Sequence, residues 1–447
     1  MKEKTIPVWF KRGSIYQVNL RNFCDKGTIE SLTTELPFLK ELGFTTIYLC
    51  PIFEEDDCPD PKYISPRQAA SKTGNPKNPY RMNDYFEIDE EYGSLSDLKT
   101  LVREAHRLDL KVMLDLVYLH IGPHARVIEE FPNFAKRDEN GNIVLTPWNF
   151  PTLNFDDEGL CEYLWCNMAY YIGHINADGF RLDTGDRVPL FFWSEGRRRI
   201  KAIKPDCVLL NEGSNPEYLK KAFDAEYGFK WHEALFNVAT GVESVSRLEN
   251  CHKECRESFG EEAILVRDIE NHDIVTDWSP RVEIAAGHSG MEAILALNYI
   301  IDGIPMLFCG NELADSAHLS MFANRFYMGE FEVTNRDIKN EPFSLRRQEI
   351  IKRLNALKKE SDILEKGKTV WLKNSKPQNI ISFERVLGDE KIVFIANLSK
   401  EDTTCEIENF SLFEGINILV QSTSPIKSEQ TSLHLPSYSY LVAQINK

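Results

Sequence analysis

Three apolar runs in this 447-residue chain end in an acid, and that recurrence constrains the fold more than any other feature. Ala177-Asp-Gly-Phe-Arg-Leu-Asp-Thr184 reads as a short buried strand closing on Asp183. Val208-Leu-Leu-Asn-Glu212 closes on Glu212, and Ile264-Leu-Val-Arg-Asp-Ile-Glu-Asn-His-Asp273 closes on a His-Asp pair. In the first run Phe180 and Leu182 alternate with Arg181 and Asp183, the period of two that puts Arg181 and Asp183 on one face. An Arg beside an Asp favours the ionised acid, and an ionised carboxylate at a strand end can serve as a nucleophile. Several strands that each deliver an acid to one rim are how a closed (β/α)8 barrel assembles a site.

The rest of the chain supplies the alternation such a barrel needs. Strands are expected at residues 14–19, 44–49, 111–117, 177–183 and 208–212, near 222–228, before His272, and at 304–308. Helices are expected at 28–42, after the capping-box spacing of Ser94 and Asp97, at 157–176 and 189–204, from strand six to about 257, and at 285–301. Eight strand–helix pairs in series are the pattern of parallel βα units, so the fold class is α/β, a TIM barrel. A polar stretch at 54–82 is expected to ride over the barrel mouth, and 121–155 forms a short irregular insertion after strand three. A last helix spans about 343–361. The domain expectation is a barrel over 1–365 and a small C-terminal antiparallel β-sandwich over 366–447, with turns at 373–377 and 387–390.

A net charge of -17 argues against a nucleic-acid backbone and an anionic membrane surface as partners. With no cleavable leader and no run of about 18 apolar residues, the expected location is the cytoplasm. The ten cysteines are scattered, several within apolar runs, and read as free buried thiols. Cys251 and Cys255 flank His252 but lack a second ligand pair, so no metal or cofactor is expected.

Gly179-Phe-Arg-Leu-Asp183, Glu212 and Asn271-His-Asp273 resemble three sequence blocks of the alpha-amylase superfamily, glycoside hydrolase family 13. Asp115-Leu-Val-Tyr-Leu-His120 resembles a fourth. Thr45–Pro51, Asp84–Gly93, Pro151–Asn154 and Gly303–Glu312 are similar to further blocks, in order along the chain. The resemblance implies a retaining α-glycosidase acting on α-linked gluco-oligosaccharides, of the oligosaccharide-acting, neopullulanase-like branch. It implies that Asp183 is the nucleophile, Glu212 the general acid and then base, and Asp273 a third carboxylate that bonds sugar hydroxyls. By the same resemblance, His120 and His272 hydrogen-bond the sugar and Tyr80 stacks on it. Arg181 keeps Asp183 ionised, and Asp115 organises Arg181. Such a pair of carboxyls works at about 5–5.5 Å separation, one ionised and one protonated.

The chain also departs from that family. Leu119 stands where many relatives carry a calcium-binding Asn, and a hydrocarbon side chain cannot ligate a hard cation. Arg81 follows Tyr80 where many relatives have Asp, which speaks against an ordinary glucose-clipping pocket. Asp186-Arg187 replaces the usual end of the strand-four block. A transglycosylase or sugar isomerase built on the same covalent intermediate remains open, as does a catalytically silent binding protein.

Overall fold

The computed structural model describes residues 5–408, 416–429 and 432–445. Its centre is a closed barrel of eight parallel strands in sequence order. These are β1 Ile15–Val18, β2 Thr46–Leu49, β3 Lys111–Leu116, β4 Gly179–Leu182, β5 Val208–Asn211, β6 Ala225–Tyr227, β7 Leu265–Arg267 and β8 Ile304–Phe308. Each is short, and each is buried on both faces apart from the first residue of β3. That is why the strands read as nearly continuous apolar runs.

Alternation sorts the side chains. Ile15, Tyr48, Met113, Val208, Leu210, Ala225, Val266 and Met306 fill the barrel interior. Phe180, Leu182 and Leu209 belong to the larger core under the surrounding helices. Arg181 is therefore in the inward register, paired with Asp115 across β3 and β4. On the other side of β4, Gly179 allows the close approach of β5, because a Cβ there would meet the Val208 carbonyl oxygen at 2.3 Å.

The helices follow the expected order with local corrections. The box at Ser94 forms as read: its side chain accepts from the Asp97 N–H, and Asp97 accepts from the Ser94 N–H. The single helix expected after strand six is two helices, Phe229–Ala239 and Ser246–Phe259, with Gly241 at φ 78° between them. The next helix, Val282–Ile300, is broken at Gly287, whose φ of 67° no continuing helix adopts. The insertion after β3 is more regular than expected. It contains the helix Arg126–Glu130 and antiparallel bridges between Arg137 and Ile143 and between Leu145 and Pro151.

Beyond the helix Pro342–Glu360 lie two antiparallel sheets. β9 Lys368–Trp371, β10 Ile380–Leu387, β11 Glu390–Asn397, β13 Ile416–Gln421 and β16 Tyr440–Ile445 form the larger, and β12 Thr403–Cys405, β14 Lys427–Glu429 and β15 Ser432–Leu435 the smaller. Arg385 fastens this part to the foot of the barrel, and Lys358 fastens the preceding helix to it. Arg385 donates to the carbonyls of Ile300 and Gly367, and Lys358 to that of Gly303. At the same end Asp302 gathers His252, Arg256 and Arg267 at 2.5–2.6 Å.

No helix among the described residues is long and apolar enough to cross a membrane. All ten cysteines are free thiols, eight of them buried. His252 turns to Asp302 rather than to Cys251 and Cys255. Among the described residues no group of three His, Cys, Asp or Glu side chains is placed to hold a metal ion.

Candidate active site

At the C-terminal ends of β3, β4 and β5 one guanidinium holds three acids. Arg181 Nη1 donates to Asp115 Oδ1 at 2.8 Å and to Asp183 Oδ1 at 3.0 Å. Its Nη2 lies 2.6 Å from Glu212 Oε1, a close ion pair without an aligned hydrogen bond. The rings of Tyr80 and Tyr227 stand 5.8 and 5.7 Å from the guanidinium carbon. Asp115 also accepts from the hydroxyls of Tyr48 at 2.6 Å and Tyr80 at 3.2 Å. Its oxygens are thereby committed, so it fixes Arg181 rather than facing the mouth.

Thr184 joins the other two acids. Its N–H donates to Glu212 Oε2 at 2.8 Å and its hydroxyl to Asp183 Oδ2 at 3.2 Å. It does so from φ 41° and ψ 43°, a left-handed conformation that a β-branched residue adopts only under constraint.

The shared cation does not give both acids the same state. Burial pushes the Asp183 carboxyl up to about 6, against Arg181 and with help from Asp115 and Asp273. Burial, with Asp183 and Asp273 nearby, pushes Glu212 up to about 8 despite Arg181. Arg181 favours the ionised Asp183, but the site is dry and crowded with acids, so the cation limits the rise without reversing it. At neutral pH the arrangement holds an ionised Asp183 beside a protonated Glu212.

The β7 loop brings the third acid to the same rim. Asn271 Oδ1 accepts from the N–H groups of Asp273 and Ile274, turning the chain so that Asp273 faces the mouth. Asp273 is held below the ordinary carboxylate range. Burial opposes the charge, but Arg67 and Arg181, joined by His272 at the low pH where its imidazole is protonated, outweigh it. Its side chain remains 40% exposed, the most open of the three.

His272 is wedged between Gln17, 2.9 Å from its Nδ1, and the Tyr80 hydroxyl, 2.5 Å from its Nε2. The Tyr80 ring lies nearly parallel to it, with centroids 5.4 Å apart. His120 has its Nε2 2.8 Å from the Tyr80 carbonyl and packs against Trp148 and Phe150 of the insertion. Burial pushes both imidazoles down to about 4, so both are neutral at physiological pH. Asp183, Glu212, Asp273, Tyr80, His120, Arg181 and His272 thus cluster at one end of the barrel.

Arg81 is bound into its own loop. It is fully buried and donates to the carbonyls of Tyr63, Asp56, Cys58 and Pro76, which knits the loop after β2 together. Asp186 is a bracket for the loop bearing Glu212. It accepts from Asn211 Nδ2 at 2.8 Å and the Ser214 N–H at 2.6 Å, on either side of Glu212. Gly213 leaves room for it, since a Cβ there would meet Asp186 Oδ1 at 2.3 Å. Beneath them Glu226 accepts from the same Asn211 amide, its carboxyl pushed up to about 9 by burial.

Sequence reasoning missed Thr184 and Arg67. Arg67, from the loop after β2, donates to Asp273 Oδ1 at 2.6 Å. The one local signal is Ser65-Pro66, an N-cap followed by Pro at the first helical position, which places Arg67 on the short helix Pro66–Ser71.

Residues 6–142 match the alpha-amylase catalytic domain family, and residues 371–442 match the maltogenic amylase C-terminal domain family. A cyclomaltodextrinase of Geobacillus thermopakistaniensis is 25% identical, the alignment covering 93% of this chain and 70% of the relative. An intracellular maltogenic amylase of Bacillus subtilis is 25% identical over 83% of this chain and 62% of its own length. Among solved structures, a maltogenic alpha-amylase of Thermotoga neapolitana superposes with a TM-score of 0.81 at 22% identity, over 98% of this chain and 99% of that one.

Proposed function

We propose that this chain, which belongs to the alpha-amylase superfamily, is a retaining α-glycosidase that hydrolyses short α-linked gluco-oligosaccharides. The observation that carries the reading is the pair Asp183 and Glu212, held by one arginine and one threonine, with burial pushing Glu212 further up than Asp183. A retaining mechanism requires its two carboxyl groups about 5–5.5 Å apart, and a guanidinium and a threonine shared by both acids hold these two close to one another.

In this reading the ionised Asp183 attacks the anomeric carbon while Glu212 gives its proton to the departing glycosidic oxygen. The covalent glycosyl ester forms and the first product leaves. Glu212, now ionised, takes a proton from water, whose oxygen attacks the anomeric carbon and frees Asp183. Asp273 accepts hydrogen bonds from the hydroxyls of the bound sugar through the face that Arg67 leaves open. In the same reading His120 bonds that sugar through the Nδ1 left without a partner, His272 does so by exchanging its bond to the Tyr80 hydroxyl, and Tyr80 lines it. Arg181 keeps the nucleophile ionised where burial alone would protonate it. Asp186, through Asn211 and Ser214, keeps Glu212 in register with Asp183. No cofactor enters any step. The name of the Bacillus subtilis relative, an intracellular maltogenic amylase, supports a cytoplasmic location.

The test is to incubate the protein with maltotriose and a panel of α-linked disaccharides and follow the products by proton NMR. The reading expects glucose and maltose from maltotriose, released first as the α-anomer. A β-anomer as first product, or no turnover of any α-glycoside, rejects it. Longer oligosaccharides or a rearranged disaccharide as main products assign the intermediate to transfer or isomerisation instead.

A further inference from the structure

At the foot of the barrel two buried cations lie together without an acid of their own. Lys358, on the helix Pro342–Glu360, and Arg385, on β10, are both buried, and neither pairs with a carboxylate among the described residues. Lys358 donates to the Gly303 carbonyl at 2.8 Å, and Arg385 to those of Ile300 at 2.9 Å and Gly367 at 2.6 Å. Both also reach one further oxygen, the Leu364 carbonyl, 3.5 Å from Lys358 Nζ and 3.4 Å from Arg385 Nη2. Arg385 Nε has no hydrogen-bond partner among the described residues.

Buried cations are ordinarily paired, because a charge taken out of water is strongly unfavourable unless an opposite charge faces it. Burial pushes the Lys358 ammonium down to about 7, and the Arg385 charge adds to the fall. Burial likewise pushes Arg385 down to about 10. Asp302 opposes both shifts without reversing them. The nearby buried acids are already engaged. Asp302 is held by His252, Arg256 and Arg267, Asp224 by Arg197 and Lys201, and Glu365 by Lys11 and Arg12. Glu261 and Glu262 are exposed to water.

Lys358 and Arg385 line a cavity of about 1260 Å³, together with Arg256 and the apolar side chains of Ile6, Phe259 and Ile264. Ile264 and Gly303 precede β7 and β8, so the cavity opens at the N-terminal end of the barrel, opposite the rim that carries Asp183.

We infer that this cavity binds a phosphate group, set between Lys358 and Arg385, and that its size suits a small phosphomonoester. One dianion offsets both cations and gives Arg385 Nε an acceptor. A guanidinium fork and an ammonium point charge both suit phosphate oxygens. The volume left over and its apolar walls have room for the esterified group. Arg385 belongs to the C-terminal part and Lys358 to the helix tied to the start of β8, so a bound phosphate bridges the two.

The experiment titrates the whole chain by isothermal calorimetry with inorganic phosphate and with glucose 6-phosphate, at constant ionic strength. Wild type, Lys358→Met and Asp183→Asn are compared. Wild type is expected to bind one ligand per chain with a Kd below about 1 mM. Lys358→Met is expected to weaken binding at least about tenfold, and Asp183→Asn, altered only at the mouth, to bind as wild type does. Equal affinity for the two ligands, or preference for inorganic phosphate, assigns recognition to the free ion; tighter binding of glucose 6-phosphate assigns it to the ester. Both support the site. Hydrogen exchange of the wild type, which needs no variant, is expected to show protection by phosphate in peptides spanning 356–369 and 380–387. Absence of binding by either ligand, affinity unchanged in Lys358→Met, or protection confined to the loops around Asp183 and Glu212 overturns the proposal.

Discussion

Glu212 Oε1 and Arg181 Nη2 lie 2.6 Å apart, and still the Glu212 carboxyl is pushed up to about 8. Burial, followed by the negative neighbours Asp183 and Asp273, outweighs the cation. The same Arg181 faces Asp183, whose rise stops at about 6. One guanidinium thus serves two acids unequally, and that inequality gives the pair a nucleophile and a proton donor at one pH.

The pH dependence of kcat/KM follows directly. Below about 6 Asp183 takes a proton and loses its nucleophilic lone pair, so the rate falls with falling pH. Above about 8 Glu212 loses the proton it must donate, so the rate falls with rising pH. A bell with its plateau between these limbs is the expected profile in a steady-state pH series. His120 and His272, pushed down to about 4, contribute no limb of their own in that range.

Glu212→Gln should separate proton donation from nucleophilic attack. Loss of a general acid costs roughly 10²–10⁴ in rate, and most where the leaving group needs the proton. With maltose the loss is expected within that range. With 2,4-dinitrophenyl α-glucoside, whose leaving group departs as a stable anion, formation of the glycosyl ester measured by the burst of phenolate should be affected about tenfold or less. Equal losses on both substrates would remove Glu212 from the role of acid.

Thr184 tests whether strain is being spent on the site. Replacing it by Gly removes the left-handed constraint at φ 41° together with the hydroxyl bonded to Asp183. Relief of such strain is worth about 1 kcal/mol, partly offset by the greater freedom of Gly in the unfolded chain. Denaturant unfolding of Thr184→Gly is expected to show equal or slightly higher stability, while kcat falls about tenfold as the Asp183–Glu212 geometry loosens. A stability loss beyond about 2 kcal/mol would show that Thr184 is a structural keystone instead.

How much of this is legible in the chain follows from the physics of each element. β4, β5 and β8 are plain because strands buried on both faces must be apolar, and the acids at the ends of β4 and β5 stand out against that background. β6 is faint because it is three residues long and carries Glu226 at its middle. The helix break at Gly241 is hidden because the apolar spacing resumes on its far side, at Leu248 and Cys251. The cluster around Asp183 is readable from short motifs, since each acid travels with its own strand. The roles of Arg67 and Arg81 are not, because their partners lie up to 210 residues away or are backbone carbonyls, and neither kind leaves a trace in spacing. Asp186 stands out as a departure from the family pattern, but only the folded loop shows it bracketing Glu212.

The foot of the barrel offers a stability prediction free of the chemistry. Asp302 meets His252, Arg256 and Arg267, and burial, which opposes its charge, is outweighed by them, so its carboxyl lies well below the usual range. Removing it in Asp302→Ala leaves Arg256 and Arg267 without their shared anion, at a cost of roughly 3 kcal/mol. An acid with a depressed folded pKa stabilises the fold above its unfolded pKa and stops doing so as pH falls towards the folded value. The gap between wild type and variant in urea unfolding is therefore expected to be full at pH 7 and to narrow only below about pH 4. A gap independent of pH down to acid unfolding would assign the loss to packing alone.

The central claim is that Asp183 becomes covalently bonded to the sugar, and trapping that bond tests it most directly. Incubation with 5-fluoro-α-glucosyl fluoride followed by intact-protein and peptide mass spectrometry is the measurement. The account predicts one added fluoroglucosyl unit per chain, on the peptide containing Asp183, and none in Asp183→Asn. A label on any other residue, or turnover of the fluoride with inversion at the anomeric carbon and no trapped ester, would contradict it.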